Sequence, residues 1–95
     1  MRIKPEQVEL TIKVVHRYFA DASVWLFGSR VDDAKKGGDF DFYIETAQTD
    51  IALPMARARG ELTDSLGIKV DLAVNNHTRD KPIFRIAKSS GIRLA

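Results

Sequence analysis

The apolar positions of this chain change period from one segment to the next, which predicts alternating helices and strands. Helical spacing over residues 5–21 is set by Val8, Ile12, Val15 and Phe19. A β-prone run over 23–27 stops at Gly28, after which Ser29 is placed to begin a short helical turn. Residues 39–45 then alternate between polar and apolar positions, as a strand does, with the acids on the face away from the core.

The second half of the sequence continues this alternation. Asp50 is a suitable N-cap for a helix that reaches Leu66 and ends at Gly67. A third strand follows, whose inward-facing residues are predicted to be Ile68, Val70, Leu72 and Val74. Asp80 is a suitable cap for a last helix, whose first turn holds Pro82 and whose buried side is predicted to be Ile83, Ile86 and Ala87.

The predicted order is therefore α-β-α-β-α-β-α, which indicates a small layered domain of the α/β (α+β) class. Helices pack on a three-stranded sheet whose strand directions the sequence leaves open, a mixed sheet included. A length of 95 residues supports one domain spanning residues 1–95. The core of so short a chain is small, so a partner protein or a homo-oligomer is expected to help stabilise it.

Composition narrows the classes of function further. The chain has no cysteine, no apolar run of the roughly 20 residues that cross a bilayer, and no hydrophobic stretch behind its charged first residues. We therefore expect a cytoplasmic protein without a membrane segment. The 15 basic and 13 acidic residues nearly balance, and the aromatic residues lie within apolar patterns, so direct binding of nucleic acid is not expected.

The strand over 39–45 carries the residues with the clearest chemistry. Asp39 and Asp41 are two residues apart, so both side chains point to one face of the sheet. Asp71 occupies the corresponding alternate position on the next predicted strand, so its side chain points to the same face if the two strands are neighbours. An isolated Asp-x-Asp is more often a solvent-facing strand edge, but here a strand ending in Gly-Ser precedes it and a third acid follows it. Three neighbouring carboxylates repel one another and favour a hard divalent cation such as Mg²⁺.

The turn before this strand offers groups that suit a phosphate. Gly28 lets the backbone turn sharply and approach a ligand closely. Ser29 adds a hydroxyl and a backbone N–H where an anion is favoured. Arg30 can pair with a phosphate in a forked geometry, or it can simply reach solvent. A Gly-Ser pair alone is usually an ordinary turn, so it is only in company with the neighbouring acids that these three residues are candidates for binding a nucleotide.

Taken together, these segments resemble the DNA polymerase β-like nucleotidyltransferase superfamily, in its small minimal nucleotidyltransferase (MNT) branch. The resemblance covers essentially the whole chain. It is most specific over residues 25–30 (WLFGSR) and 38–44 (GDFDFYI), and it extends to 69–72 (KVDL) and to the last helix. The chain departs from the common pattern in that nine residues separate Ser29 from Asp39, one fewer than is usual.

The resemblance implies a role for each of these residues. Gly28 and Ser29 would hold the triphosphate of ATP, and Asp39 and Asp41 would bind two Mg²⁺ ions. Asp71 would complete the metal-binding acids and help to activate the acceptor hydroxyl. Asp39, Asp41 and Asp71 are thus the predicted catalytic and metal-binding residues.

The resemblance also implies a partner and a reaction. Proteins of the MNT branch commonly act as antitoxins beside a HEPN-domain ribonuclease toxin, and catalytic members transfer AMP from ATP to a tyrosine of that toxin. Two alternatives stay open at this point. The chain could neutralise such a partner by complex formation without catalysis, or it could modify a small molecule with the help of a partner subunit.

Overall fold

A computed structural model describes residues 1–95 and contains three helices, four strands and one short 3₁₀ turn. In chain order these are α1 (Pro5–Tyr18), β1 (Ser23–Phe27), the 3₁₀ turn (Gly28–Val31), β2 (Phe40–Glu45), α2 (Ala52–Leu66), β3 (Val70–Asn75), α3 (Pro82–Ser90) and β4 (Ile92–Arg93). The predicted order of elements is confirmed up to α3. The predicted count of three strands is wrong, because residues 92–93 add a fourth.

The sheet is mixed, with the strand order β3-β2-β1-β4. β1 runs antiparallel to both β2 and β4, whereas β2 and β3 run parallel. β4 escaped prediction because it is only two residues long and is defined by its pairing with Trp25 and Leu26, which are distant in sequence.

One face of the sheet carries the main core, covered by α1 and α2. Side chains from all three long strands and both helices are fully or almost fully buried there, among them Val14, Val15, Phe19, Val24, Leu26, Phe40, Phe42, Ile44, Ala58, Leu62 and Val70. The alternation predicted for residues 39–45 agrees with the burial of Phe40, Phe42 and Ile44. The stripe predicted for α1 is only partly correct, because Val15 and Phe19 are buried together with Val14, whereas Val8 and Ile12 lie outside this core. Burial of these apolar side chains stabilises the parallel pair β2–β3 through the hydrophobic effect. The acids lie on the opposite face of the sheet.

The other face of the sheet is partly covered by α3. Trp25, Tyr43, Phe84 and Ala87 form a second buried cluster there. The face that carries the acids was expected to lie away from the core. This expectation is wrong for the half of the face around Tyr43, which is 1% exposed. The other half, at the end of β1, stays open.

The helix boundaries differ from the predicted ones for local reasons. α1 ends at Tyr18 rather than at residue 21, because Phe19 leaves the helical conformation (φ −137°, ψ 85°) and is itself fully buried. α2 begins after Ile51, so Asp50 is not its cap. α3 begins after Lys81, and Asp80 instead forms an ion pair with Arg85 (3.5 Å). β3 begins at Val70, two residues later than predicted.

The predicted buried side of α3 is correct for Ala87 and wrong for Ile83 and Ile86. Phe84 and Ala87 face the sheet, whereas Ile83 and Ile86 are 41% and 57% exposed. The reason is tertiary, because the ring of Phe84 packs on Tyr43 (centroids 5.7 Å apart). The C-terminal cap of α2 at Gly67 is confirmed, with φ +67°. None of the helices is both long and apolar enough to span a membrane.

Candidate active site

The three predicted acids lie at one end of the sheet, where β1 ends and β2 and β3 begin. Asp41 and Asp71 are direct register partners in the parallel pair β2–β3, and Asp39 immediately precedes β2. Partners on neighbouring strands are separated by roughly 5 Å. Phe27, the last residue of β1, is the register partner of Asp41 on its other side, so the turn that begins at Gly28 adjoins the acids.

The pKa of Asp41 reflects its burial and the negative charge of the neighbouring acids. Partial burial of the carboxyl, together with the nearby charges of Asp71 and Asp39, raises the pKa of Asp41 above its ordinary value. Lys69 opposes this shift in part. Repulsion of this kind is relieved by a cation placed among the carboxylates.

Lys69 already supplies one positive charge at this position. Its Nζ lies 3.9 Å from Oδ2 of Asp39 and 4.0 Å from Oδ2 of Asp71. The sequence did not predict this contact, although Lys69 lies two residues before Asp71 and therefore points to the same face in an extended chain. This spacing was the available signal, but it does not show how far the long side chain reaches.

The donor set fits a divalent cation in its chemistry. Carboxylate oxygens are the ligands that Mg²⁺ prefers, and the ammonium of Lys69 marks a place between two of them that suits a positive charge. The three acids nevertheless do not converge as a ready group of metal ligands. For one ion to contact both Asp39 and Asp71 at ligand distance, the Lys69 ammonium has to move away.

Gly28 is the point at which the turn meets the acids. Its backbone has φ +75°, and a Cβ at this position would overlap Oδ2 of Asp41 and lie 3.2 Å from its Cγ. Only glycine adopts this positive φ without strain and, having no Cβ, leaves the Asp41 carboxylate in place. The structure thus brings Gly28 into direct proximity with Asp41.

Ser29 faces the other side of the same loop. A Cβ placed on Gly38 (φ +92°) would lie 2.5 Å from the Ser29 Oγ, so the two ends of the loop approach each other closely. Gly38 immediately precedes Asp39. Ser29 therefore lies against the residue that precedes Asp39, even though nine residues separate Ser29 from Asp39 in sequence.

Arg30 is not brought together with the acids. Its guanidinium Cζ lies 4.5 Å from the centroid of the Phe40 ring, which belongs to the opposite face of the sheet. Its Nε donates to the carbonyl of Gly38 (3.0 Å) and its Nη1 to that of Arg2 (3.3 Å). In this structure the side chain holds the loop, and its predicted contact with a phosphate stays a prediction.

A groove of about 290 Å³ lies beside α2 and the start of β3, and Asp71 is one of its lining residues. Polar and charged side chains line it, including Arg59, Thr63, Asp64 and Lys69. The groove is open to solvent and passes Gly60, whose missing side chain leaves free space.

Tyr43 shares the face of the acids but is used for packing. Its ring contacts Trp25 and Phe84, and its hydroxyl donates to Glu45 (2.7 Å) and accepts from Asn75 (3.0 Å). Burial raises the pKa of Tyr43 to about 12. This environment indicates that Tyr43 packs between strands and α3.

Comparison with known proteins adds a family and two structural neighbours. The model of the nucleotidyltransferase domain family matches residues 8–94. A solved complex of a tri-AMPylated HEPN toxin with its MNT antitoxin, from Shewanella oneidensis, contains a chain similar to this one (TM-score 0.78, 18% identity), covering 98% of this chain and 72% of that one. A search among curated proteins found no match.

A second solved structure is similar to the same degree. It is a mutant of the toxin–antitoxin pair MntA–HpeT in which two aspartates are replaced by glutamate. The TM-score is 0.78 at 17% identity, and the match covers 93% of this chain and 71% of that one. At these identities the likeness establishes the fold, and the expected fold is confirmed.

Proposed function

This chain belongs to the nucleotidyltransferase domain family, and from that premise we propose that it transfers AMP from ATP to a tyrosine hydroxyl of a HEPN-type toxin and so acts as its antitoxin. The observation that carries this proposal is the register pairing of Asp41 with Asp71, beside Asp39 and directly against the Gly28 turn. No other part of the chain combines clustered carboxylates with a turn that a phosphate can approach.

In the proposed site, Asp39 and Asp41 would hold two Mg²⁺ ions and Asp71 would complete the set of carboxylates. When bound, such ions neutralise the phosphates and stabilise the leaving pyrophosphate. The raised pKa of Asp41 and the cation already placed between Asp39 and Asp71 support this assignment. Lys69 then turns outward, which its exposed side chain allows.

The proposed role of Asp71 follows from its position in the lining of the groove along α2. An acceptor hydroxyl bound in the groove would lie beside Asp71, whose carboxylate would take its proton. The hydroxyl oxygen then forms a bond with the α-phosphorus of ATP, while the bond from that phosphorus to the pyrophosphate oxygen breaks. Gly28 and Ser29 hold the triphosphate during this step.

The structural neighbours support the choice of partner. Both are described as toxin–antitoxin complexes, and in one of them the HEPN toxin carries AMP. We therefore propose a HEPN-domain protein as the acceptor.

A second function is favoured by one specific observation. Because Lys69 bridges Asp39 and Asp71, the carboxylates are partly neutralised without Mg²⁺. A protein that keeps this bridge would bind its toxin without modifying it, and would act as an antitoxin by complex formation alone. The two functions make opposite predictions about the need for the acids.

The test is to incubate the purified chain with the HEPN protein encoded beside it, labelled ATP and Mg²⁺, and to measure intact masses. The proposal expects a mass gain on the HEPN protein equal to whole AMP groups, and its loss in the double variant Asp39→Ala/Asp41→Ala. Asp50→Ala is the matched control, because Asp50 is an exposed acid at the opposite end of β2. Unmodified toxin that is still neutralised by the double variant would support the second function instead.

A further inference from the structure

The guanidinium of Arg2 ties together the two sides of the loop that carries Ser29 and Asp39. Its Nη2 donates to the carbonyl of Ser29 (2.9 Å), its Nε to that of Asp32 (2.9 Å) and its Nη1 to that of Gly37 (2.6 Å). The first two carbonyls belong to the start of the loop and the third to its end. A single planar fork thus fixes their separation.

The backbone of Arg2 adds to this connection. Its N–H donates to the carbonyl of Arg30 (2.7 Å), and its own carbonyl accepts from the Arg30 side chain (3.3 Å). Arg30 in turn donates to the carbonyl of Gly38 (3.0 Å), next to Asp39. The two arginines therefore interlock, and together they bind the loop at both ends.

The loop has little else to hold it. Residues 32–39 are all exposed, and none of them belongs to the hydrophobic core. Gly37 and Gly38 both have positive φ, and glycine populates negative φ about as readily, so these residues do not fix the loop conformation themselves. Apart from the arginine contacts, the loop is held by the ion pair between the Met1 ammonium and Asp33 and by short-range hydrogen bonds. These run from the backbone N–H of Asp32 to the Ser29 carbonyl and from those of Ala34 and Lys35 to Asp32.

We propose that Arg2 is a positioning residue for the nucleotide site, which sets the distance between Ser29 and Asp39 by holding the loop between them. The inference rests on the proposed function, in which Ser29 contacts the triphosphate and Asp39 the metal. Arg2 itself touches neither, because its guanidinium is engaged with backbone carbonyls. Its effect on the nucleotide is transmitted through the loop backbone.

Two variants separate this role from a simple attraction between charges. Arg2→Ala removes the fork and the charge, whereas Arg2→Lys keeps the charge but presents a single nitrogen that cannot span the three carbonyls. If Arg2 only attracted the triphosphate, lysine would restore binding. Positioning predicts that lysine restores little of it.

The experiment measures the affinity of the full chain for Mg-ATP by calorimetry, and the KM and kcat of AMP transfer. Arg2→Ala is expected to raise both Kd and KM by roughly tenfold, the scale of one lost charge-assisted hydrogen bond, with a smaller change in kcat. Arg2→Lys is expected to stay close to Arg2→Ala. The matched control is Arg57→Ala, because Arg57 is an exposed arginine of α2, away from the loop, and is expected to behave as the wild type.

Hydrogen exchange of the same variants tests the loop without reference to catalysis. Amides of residues 28–39 are expected to exchange faster in Arg2→Ala, while those of β1 and β2 keep their protection. Unchanged exchange in the loop, unchanged affinity for Mg-ATP, or full recovery in Arg2→Lys would each overturn the proposal. If the wild type binds Mg-ATP but modifies no partner, the proposed function fails, whereas affinity and exchange still decide the role of Arg2.

Discussion

Gly28 and Asp41 are in such close contact that the turn leaves no room for a side chain. The backbone of Gly28 has φ +75°, and a Cβ there would overlap the Oδ2 of Asp41. The nearest obstacle is thus the end of a flexible side chain. A larger residue at position 28 is therefore expected to displace the carboxylate rather than to unfold the protein.

Gly28→Ala is expected to reduce AMP transfer by at least about tenfold, because it moves a proposed metal ligand, and to lower stability by about 1–2 kcal/mol through its positive φ. Gly67→Ala is the control, since Gly67 has nearly the same φ (+67°) and nothing within 4 Å of its added Cβ. Thermal unfolding and transfer assays on both variants separate strain from displacement. Equal losses of activity in the two would contradict the argument.

Asp41→Asn is expected to stabilise the protein at neutral pH. The pKa of Asp41 is raised, so the folded state binds its proton more tightly than the unfolded chain does, and this stability is lost as the pH rises through the raised pKa. Asparagine imitates the protonated form. After allowance for solvent screening, the gain at pH 7 is below about 1 kcal/mol, a Tm increase of at most roughly 4–8 °C.

The pH dependence and the metal give this prediction two checks. The advantage of Asp41→Asn should vanish at pH values below the ordinary pKa of an aspartate, where the wild type is itself protonated. Added Mg²⁺ should raise the Tm of the wild type but not that of the variant. Asp50→Asn, at an exposed acid remote from the cluster, should show neither effect. A variant less stable than the wild type at pH 7 would contradict the raised pKa of Asp41.

Lys69→Gln is expected to tighten the binding of Mg²⁺. The ammonium lies between Asp39 and Asp71 and has to leave before an ion contacts both. Ion pairs with this much exposure contribute about 0.2–1 kcal/mol, which corresponds to a decrease of about 1.5- to 5-fold in the Mg²⁺ concentration for half-maximal binding. Titration with Mg²⁺ followed by calorimetry measures the change, with Lys13→Gln as an exposed control on α1. Weaker binding in Lys69→Gln would show that the lysine assists the metal.

The features that the sequence predicted well are those that depend on local periodicity. The alternation over 39–45 placed Asp39 and Asp41 on one face, and the parity of Asp71 placed it on the same face of a neighbouring strand. The parallel pairing that makes Asp41 and Asp71 register partners is a tertiary fact. It could only be assumed until the structure was known.

The features that escaped prediction depend on contacts between distant parts of the chain. In α3, Ile83, Phe84, Ile86 and Ala87 offer two apolar faces, and only the position of Tyr43 decides which face is buried. Arg2 donates to backbone carbonyls about thirty residues away, and a carbonyl leaves no trace in the choice of residue. The reach of Lys69 likewise depends on its rotamer.

Tyr43→Phe is expected to destabilise the protein without impairing AMP transfer. The phenol hydroxyl joins Glu45 to Asn75, and its removal leaves the Nδ2 of the half-buried Asn75 without this acceptor, while Asn75 Oδ1 still accepts from the His77 N–H. The loss should be about 1–3 kcal/mol, the usual penalty for an unsatisfied polar group, and it should persist to high pH because the pKa of Tyr43 lies at about 12. Denaturant unfolding measures it, and Tyr18→Phe, which removes a hydroxyl bonded to Glu61 (2.9 Å), is the matched control for loss of one hydrogen bond. Transfer to the partner should proceed at the wild-type rate, and the chain itself should carry no AMP in either form. A label on the wild-type chain that disappears in Tyr43→Phe would instead make Tyr43 a site of self-modification and would require the second core cluster to open.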